Sequence, residues 1–155
     1  MAEYFRNTGR VWLVSYAPLI VWITVIFYLS SDSGSMTKTL LFVRPLLEFI
    51  FPAATEETFQ IYHGYIRKLA HFTEYAVLAL FAVRAVVVAN IETLAKYRYL
   101  LAFALVLIIA LADEFGQSFR PSRTGSILDV GIDVVGGASM IVVLWAINRP
   151  RPYVV

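Results

Sequence analysis

The sequence predicts an all-α integral membrane protein, a bundle of four transmembrane helices with an interfacial or re-entrant helical segment between the first and second. Hydrophobic residues make up 59% of the 155 residues and charged residues only 15%, with a mean hydropathy of +0.71. A soluble domain of this size needs far more polar surface. Four apolar stretches are also long enough to cross a bilayer, which takes roughly 20 residues each. We expect residues 1–155 to form one membrane domain.

Composition also excludes several classes of function. The chain has no cysteine, so disulfides, thiol catalysis and cysteine-ligated metals are excluded. Its net charge of +2 is small, and its basic residues stand mostly at the ends of apolar runs. This placement favours contact with membrane lipids over nucleic acid.

The four predicted spans are the apolar runs 11–30, 66–90, 97–116 and 127–147. Arg6 and Arg10 precede the first run, as they would in a secretory signal peptide. The run is long for the apolar part of a signal peptide, so we expect an uncleaved anchor.

Residues 31–65 predict a shorter helix that does not span. Its apolar residues are interrupted by Lys38, Arg44 and Glu48. The segment is typical of an interfacial or re-entrant helix, and we expect it to break near Pro45 and Pro52. Thr55, followed by two acidic residues, predicts the start of another helix, because a threonine hydroxyl can cap it and acids favour its first turn.

Charged and polar residues stand at one end of each of the last three spans. Ionisable groups in hydrocarbon are costly, so they need partners and usually mark a functional site. These residues are Lys68, His71, Glu74 and Tyr75 in the second span, Asp113, Glu114 and Gln117 in the third, and Asp129 and Asp133 in the fourth. In four antiparallel spans these three ends lie at the same face of the membrane. The sequence therefore predicts one shared site, whichever way the protein is inserted.

Helical spacing predicts that each of these spans carries a single polar stripe. Residues three, four or seven positions apart share a helix face. The stripes are Lys68, His71, Glu74 and Tyr75, then Asp113 and Gln117, then Asp129 and Asp133. Gly137 lies four positions after Asp133 and follows Gly136, so we expect the fourth stripe to continue as a close helix-packing seam.

The connection between the third and fourth spans carries two guanidinium groups, on Arg120 and Arg123. Arginine binds phosphate and carboxylate through paired hydrogen bonds. Ser126 is placed to cap the fourth helix, whose N-terminus also favours an anion. Basic residues near span ends are nearly balanced between the two sides, but those on the site side stand beside acids. We therefore expect both termini to be cytoplasmic.

Two interpretations stand open for His71. It could act as a general acid–base or metal ligand, or it could be a packing histidine bonded to Glu74 or Asp113. His63, near a predicted span end, is expected to be solvated.

The acids also allow several roles. Asp113 and Glu114 are adjacent and should point about 100° apart, so we expect one to face the site and the other to pair with Arg120 or Arg123. Asp129 and Asp133 could bind a divalent cation together with Glu74 or Asp113 through oxygen ligands. The alternative for Asp129 is helix-dipole compensation in the first turn.

Two strings and the end of the first span carry a family resemblance. RKLAHFTEY at 67–75 and DEFGQSFRPSRTGSILDVGIDVVGG at 113–137 resemble the signature blocks of the VanZ-like family of small bacterial membrane proteins, and residues 26–31 are similar too. The resemblance implies a role in the bacterial cell envelope. The family's named member is associated with low-level resistance to the glycopeptide teicoplanin, but the resemblance implies no particular reaction.

Together these observations predict a polar site at the extracytoplasmic face of the bacterial inner membrane. We expect it to bind or process an anionic, lipid-linked envelope molecule, and an enzyme of this kind would be a hydrolase or transferase acting on a lipid-linked phosphate or glycan. Candidate catalytic residues are His71, Glu74, Asp113 and Glu114. Candidate binding residues are Lys68, Tyr75, Gln117, Arg120, Arg123, Asp129 and Asp133. No cofactor is predicted beyond an optional divalent cation.

Two other functions stay open. Intramembrane histidine and acid chains also serve proton-coupled transport. That role needs polar residues on the opposite side, where the sequence offers little beyond Arg84 and Asn90. A non-catalytic partner protein could also use the polar residues only to hold its helices together.

Overall fold

The computed structural model describes the backbone of residues 2–32, 36–120 and 125–148, and the side chains of 12–32, 38–120 and 125–148. These residues form helices and no strand. The helices are α1 (Ala2–Leu29), α2 (Met36–Ile50), α3 (Glu56–Ala89), α4 (Glu92–Ala95), α5 (Arg98–Gln117) and α6 (Ile127–Ile147). Four of them, α1, α3, α5 and α6, are long and apolar enough to cross a membrane. The predicted fold class is confirmed, and the chain is a multi-pass membrane protein.

Helix α3 is the centre of the bundle. It packs most extensively against α6 and also contacts α1 and α5. Its 34 residues extend about 51 Å at 1.5 Å per residue, well beyond a hydrocarbon core of roughly 30 Å. The predicted span at 66–90 is therefore only the later part of a longer helix. The cap at Thr55 is confirmed, since the Thr58 amide donates to the Thr55 hydroxyl at 3.3 Å.

Helix α2 lies against the N-terminal part of α3. Arg44 bonds Glu48 at 2.7 Å on its own helix and Glu56 at 2.9 Å on α3. Both carboxylates raise the pKa of the Arg44 guanidinium, and the hydrogen bond that Arg44 donates to Glu48 has the largest effect. The expected break near Pro45 is wrong, whereas α2 does end close to Pro52. Proline removes one intrahelical hydrogen bond and crowds the carbonyl four residues before it. Pro45 lies on the exposed side of α2, where solvent can bond the carbonyl left without a donor.

His63 lies beneath α2 and is only 1% exposed, so the expectation of a solvated histidine is wrong. Its Nε2 is 2.9 Å from the hydroxyl of Thr39 on α2. The sequence could not show this burial, because it depends on where α2 docks.

The middle of the bundle is apolar and closely packed. Ile26, Leu78 and Val106 are fully buried members of an apolar cluster contributed by α1, α3, α5 and α6. A Cβ on Gly137 would lie 2.6 Å from Val106, and a Cβ on Gly136 would meet the Phe72 carbonyl of α3. The predicted packing seam on α6 is confirmed, because a side chain at Gly136 would collide with backbone and one at Gly137 would force Val106 to shift.

Candidate functional site

Four side chains from three helices meet at the end of the bundle where α1 and α5 end and α6 begins. Each of His71, Asp113, Glu114 and Asp133 offers one donor atom, and these four atoms lie within 4.8 Å of one another. The three carboxylates are almost completely buried, with residue exposures of 2% for Asp113, 5% for Glu114 and 0% for Asp133. We call these four residues the acid–histidine cluster.

His71 of α3 is bonded to Asp133 of α6, with Nδ1 and Oδ1 3.2 Å apart. The partner expected for a packing histidine was Glu74 or Asp113, and that expectation is wrong. The reason is the seam between the helices. The backbone of Phe72, the neighbour of His71, touches Gly136, and Asp133 stands three positions before Gly136 on α6. Close approach of the two helices therefore brings Asp133 beside His71.

Asp113 and Glu114 are held together by Gln117. Its amide nitrogen lies 3.0 Å from Asp113 Oδ2 and 3.5 Å from Glu114 Oε1. The Ser30 hydroxyl donates to Asp113 Oδ2 at 2.6 Å, and the Ser126 amide donates to Glu114 Oε2 at 2.7 Å.

The expectation that one of these two acids turns away to pair with an arginine is wrong for Arg120. Its guanidinium donates to the Ser30 carbonyl at 2.6 Å instead. Arg123 lies outside the described residues. Both acids are buried because the end of α5 is enclosed by the end of α1 and the start of α6. Their side chains leave the helix about 100° apart, but both enter this enclosed region.

A cavity of about 200 Å³ lies beside the cluster, between the end of α1, α2 and α3. It is lined by Leu29, Ser30, Thr39, Arg67, Ala70, His71 and Glu74. Lys68 is exposed and does not line it. The basic residue on the cavity is its neighbour Arg67, which lies in the electrostatic field of Glu74, Glu114 and Asp129.

The sequence contained a signal for Arg67 that the predicted stripe overlooked. Arg67, His71 and Glu74 are spaced i, i+4 and i+7, so they share one helix face. Their spacing is as regular as that of the predicted stripe that begins at Lys68. Ser30 and Thr39 were also overlooked. Neither has a spacing that marks it, because each reaches the site from a different helix.

Tyr75 and Asp129 take different positions at the site. The Tyr75 ring is part of the fully buried apolar cluster. Its hydroxyl and Asp133 Oδ2 are buried without a hydrogen-bond partner among the described residues. Asp129 is half-buried in the first turn of α6. The cap predicted for this helix is confirmed, since the Leu128 amide donates to the Ser126 hydroxyl at 3.2 Å.

The arrangement combines two chemical environments. The acid–histidine cluster is rich in negative charge and hydrogen-bond acceptors, which suit protons and metal cations. The cavity presents the Arg67 guanidinium, the His71 ring and the Glu74 carboxylate beside Leu29 and Ala70, and the guanidinium suits a small anionic group attached to a lipid. His71 belongs to both, so a molecule in the cavity would touch the cluster through its ring.

Comparison with known proteins identifies one family. The family model described as VanZ/LLP1 matches residues 15–148, which include every candidate site residue. Neither the curated proteins nor the solved structures give a match.

Proposed function

The chain belongs to the VanZ/LLP1 family, and we propose that it binds the anionic headgroup of a lipid-linked envelope molecule in the cavity beside His71. The observation that carries this proposal is the cavity itself, about 200 Å³ in volume and lined by Arg67, His71 and Glu74. A cavity of this size holds a phosphate or small headgroup, while the lipid chain would stay in the bilayer. Arg67 supplies the donors that phosphate recognition requires.

Binding to the purified protein in nanodiscs tests this proposal. A short-chain polyprenyl phosphate is compared with the corresponding uncharged alcohol. We expect the phosphate to bind at least tenfold more tightly, and Arg67→Gln to remove most of that difference because the cavity loses its guanidinium. Lys96→Gln, at the opposite end of the bundle, is the matched control. Equal affinity for phosphate and alcohol, or an Arg67→Gln variant that binds like the wild type, would contradict the proposal.

The Lys68→Gln variant, at the adjacent position, decides which of the two basic residues binds the headgroup. The sequence favoured Lys68, whereas the cavity is lined by Arg67. Loss of phosphate preference in Lys68→Gln but not in Arg67→Gln would restore the sequence-based assignment.

We further propose that both termini are cytoplasmic and that the cavity faces the outside of a bacterial inner membrane. The chain has no cysteine, so single cysteines at positions 2 and 122 can be labelled without background. A membrane-impermeant maleimide should label position 122 in intact cells and position 2 only after lysis. The reverse pattern would place the cavity on the cytoplasmic side.

A link to teicoplanin is a further part of the proposal. It is supported by family membership and by the headgroup site, because glycopeptides act on the cell envelope. We expect expression in a susceptible Gram-positive host to raise the inhibitory concentration of teicoplanin, and Arg67→Gln to lose that effect at equal protein level. An unchanged inhibitory concentration with the wild-type protein would remove the link.

A structural role is the second candidate, supported by the buried hydrogen bonds that join the helix ends. Ser30 of α1 bonds Asp113 of α5, and His71 of α3 bonds Asp133 of α6. If this were the whole role, Asp113→Ala would unfold the protein, and Arg67→Gln would leave headgroup binding unchanged.

Proton-coupled transport has less support. Buried apolar side chains such as Leu78, Ala82 and Val106 lie between the cluster and the opposite end of the bundle. A proton flux in liposomes that disappears in Asp133→Asn would favour transport nonetheless.

A further inference from the structure

The three buried carboxylates of the acid–histidine cluster present an electrostatic problem. Their nearly complete burial and close approach place like charges where water screens them poorly. The groups bonded to Asp113 and Glu114 are a serine hydroxyl, a glutamine amide and a backbone amide, all of them neutral. Such bonds orient the carboxylates without neutralising them. Arg67 lies in the electrostatic field of Glu114, and protons or a bound cation would balance the remaining negative charge.

An independent observation favours a cation. Asp133 is 0% exposed, and its Oδ2 has no hydrogen-bond partner among the described residues. Leaving a buried acceptor unpaired is costly, and in native proteins buried polar atoms of this kind often bind an ion or an ordered water molecule. A proton placed on Oδ2 would itself need an acceptor, whereas a metal ion would use the free lone pairs directly.

Distances within the cluster fit one metal centre. His71 Nδ1 and Asp133 Oδ1 are 3.2 Å apart. Adjacent ligands on a single cation with bonds of about 2.1 Å stand about 3.0–3.4 Å apart. All four donor atoms lie within 4.8 Å of one another, which is wider than the roughly 4.2 Å between opposite ligands of a six-coordinate ion with bonds of about 2.1 Å. Side-chain shifts would be needed to close a six-coordinate shell.

The groups around the cluster resemble the outer shell of a metal site. Carboxylates that bind metals are usually held in place by hydrogen bonds from neighbouring side chains and backbone. Gln117 holds Asp113 and Glu114 together, and Ser30 and Ser126 hold one oxygen of each. The carboxylates therefore already have fixed orientations.

We propose that His71, Asp113, Glu114 and Asp133 bind one divalent cation of the Mn²⁺ and Zn²⁺ class. Three carboxylates and one imidazole suit these ions, whereas Mg²⁺ favours an all-oxygen shell with several waters. Bound there, the cation replaces the proton shared by His71 and Asp133 and gives Asp133 Oδ2 a partner. This inference goes beyond the headgroup proposal and does not depend on it.

Metal binding without any lipid ligand tests the inference. Wild-type protein is stripped with a chelator and titrated with Mn²⁺, Zn²⁺ and Mg²⁺ in detergent. We expect one Mn²⁺ or Zn²⁺ per chain, with Mg²⁺ at least tenfold weaker. Pulsed EPR of the Mn²⁺ complex should show coupling to an imidazole nitrogen. Absence of stoichiometric Mn²⁺ and Zn²⁺ binding, or bound Mn²⁺ without imidazole coupling, would overturn the proposal.

Variants assign the ligands. Asp133→Asn, which keeps the volume of the side chain, and His71→Ala should each weaken binding at least tenfold. The chain contains one other histidine, so His63→Ala is the matched control and should keep the imidazole coupling. Wild-type affinity in both ligand variants would also overturn the proposal. If either variant fails to fold, the stoichiometry and EPR signal of the wild-type protein decide alone.

Arg67→Gln separates this proposal from the headgroup proposal. It should keep the metal, because Arg67 is not a ligand, and lose preference for the lipid phosphate. A protein that binds metal but not phosphate refutes only the headgroup proposal. The opposite result refutes only the metal site.

Discussion

The two halves of α3 have opposite chemistry on their buried sides. The N-terminal half presents Arg67 and His71 to a cavity, which Glu74 also lines from just past the midpoint of the helix. The C-terminal half buries small apolar residues, among them Ala79 and Ala82, against the other helices. Small residues let helices approach closely in a membrane. The apolar half therefore sets the distances between the helices, and the polar half uses those distances to bring side chains together.

The junction between these halves shows how one depends on the other. Gly136 touches the backbone of Phe72, and the adjacent His71 meets Asp133 at 3.2 Å. The position of a charged pair is thus determined by a contact between backbones. The polar site should consequently be more sensitive to changes in helix packing than to loss of a single polar contact outside it.

The largest expected effect comes from filling the contact between α3 and α6. In Gly136→Val the new side chain would meet the Phe72 carbonyl, and we expect the free energy of unfolding to fall by about 3 kcal/mol. Thermal or denaturant unfolding in detergent measures this change. Gly131→Ala on the same helix is the control, because nothing lies within 4 Å of its added methyl group. If Gly136→Val were as stable as Gly131→Ala, backbone contact would not set the spacing.

Shortening a buried side chain in the apolar half should lower the free energy of unfolding somewhat less. It should leave the acid–histidine cluster intact. Leu78 is completely buried, so Leu78→Ala should lower the free energy of unfolding by about 2 kcal/mol. The same measurement on Leu100→Ala, an exposed position on α5, serves as comparison. Metal affinity below the unfolding transition should stay within about twofold of the wild type. A large loss of affinity in Leu78→Ala would show that the two halves are more strongly coupled than their contacts indicate.

Removing the Gln117 amide, which bonds two of the cluster's carboxylates, should have a smaller effect. We expect the change to be confined to the polar half of the molecule. Gln117→Leu takes the amide away from Asp113 and Glu114, and we expect divalent-cation affinity to fall about tenfold. Isothermal titration with Mn²⁺ measures this. Gln60→Leu, at an exposed position on α3, should bind like the wild type. Unchanged affinity in Gln117→Leu would mean that the carboxylates keep their orientation without it.

The smallest effect is expected at the docking of α2. Arg44, Glu48 and Glu56 form half-exposed ion pairs, and such pairs contribute little because water and salt screen them. Arg44→Gln should raise hydrogen exchange in α2 by less than about threefold while leaving α5 unchanged. Added salt should reproduce the effect in the wild type. A complete loss of protection in α2 would show that the ion pairs, and not the hydrogen bond between His63 and Thr39, hold this helix.

The sequence predicted the parts of the site that follow from helix periodicity and topology. The apolar runs identified all four long helices, and antiparallel order gathered their polar ends at one side. Thr55 and Ser126 were recognised as caps because capping depends on residues within one turn. Helix periodicity and topology also identified four site candidates: His71, Asp113, Glu114 and Asp133.

Partner choice could not be predicted in this way. The sequence could not show that His71 pairs with Asp133, that Arg120 bonds Ser30, or that the cavity is lined by Arg67 and not by Lys68. Each depends on the rotation of one helix against another. A rotation of about 100° exchanges adjacent residues on a helix surface, and apolar periodicity within a membrane gives little information on it, because lipid-facing and buried positions are both hydrophobic.

The sequence alone therefore determined that this protein is a helical membrane protein with polar residues gathered at one end of its bundle. These properties depend on composition, span length and the order of helices along the chain. Only the tertiary structure decided which carboxylates meet His71, which basic residue faces the cavity, and that one oxygen of Asp133 has no hydrogen-bond partner within the described part of the chain. Those properties depend on contacts between helices, and Gly136 against Phe72 determines how closely the helices approach.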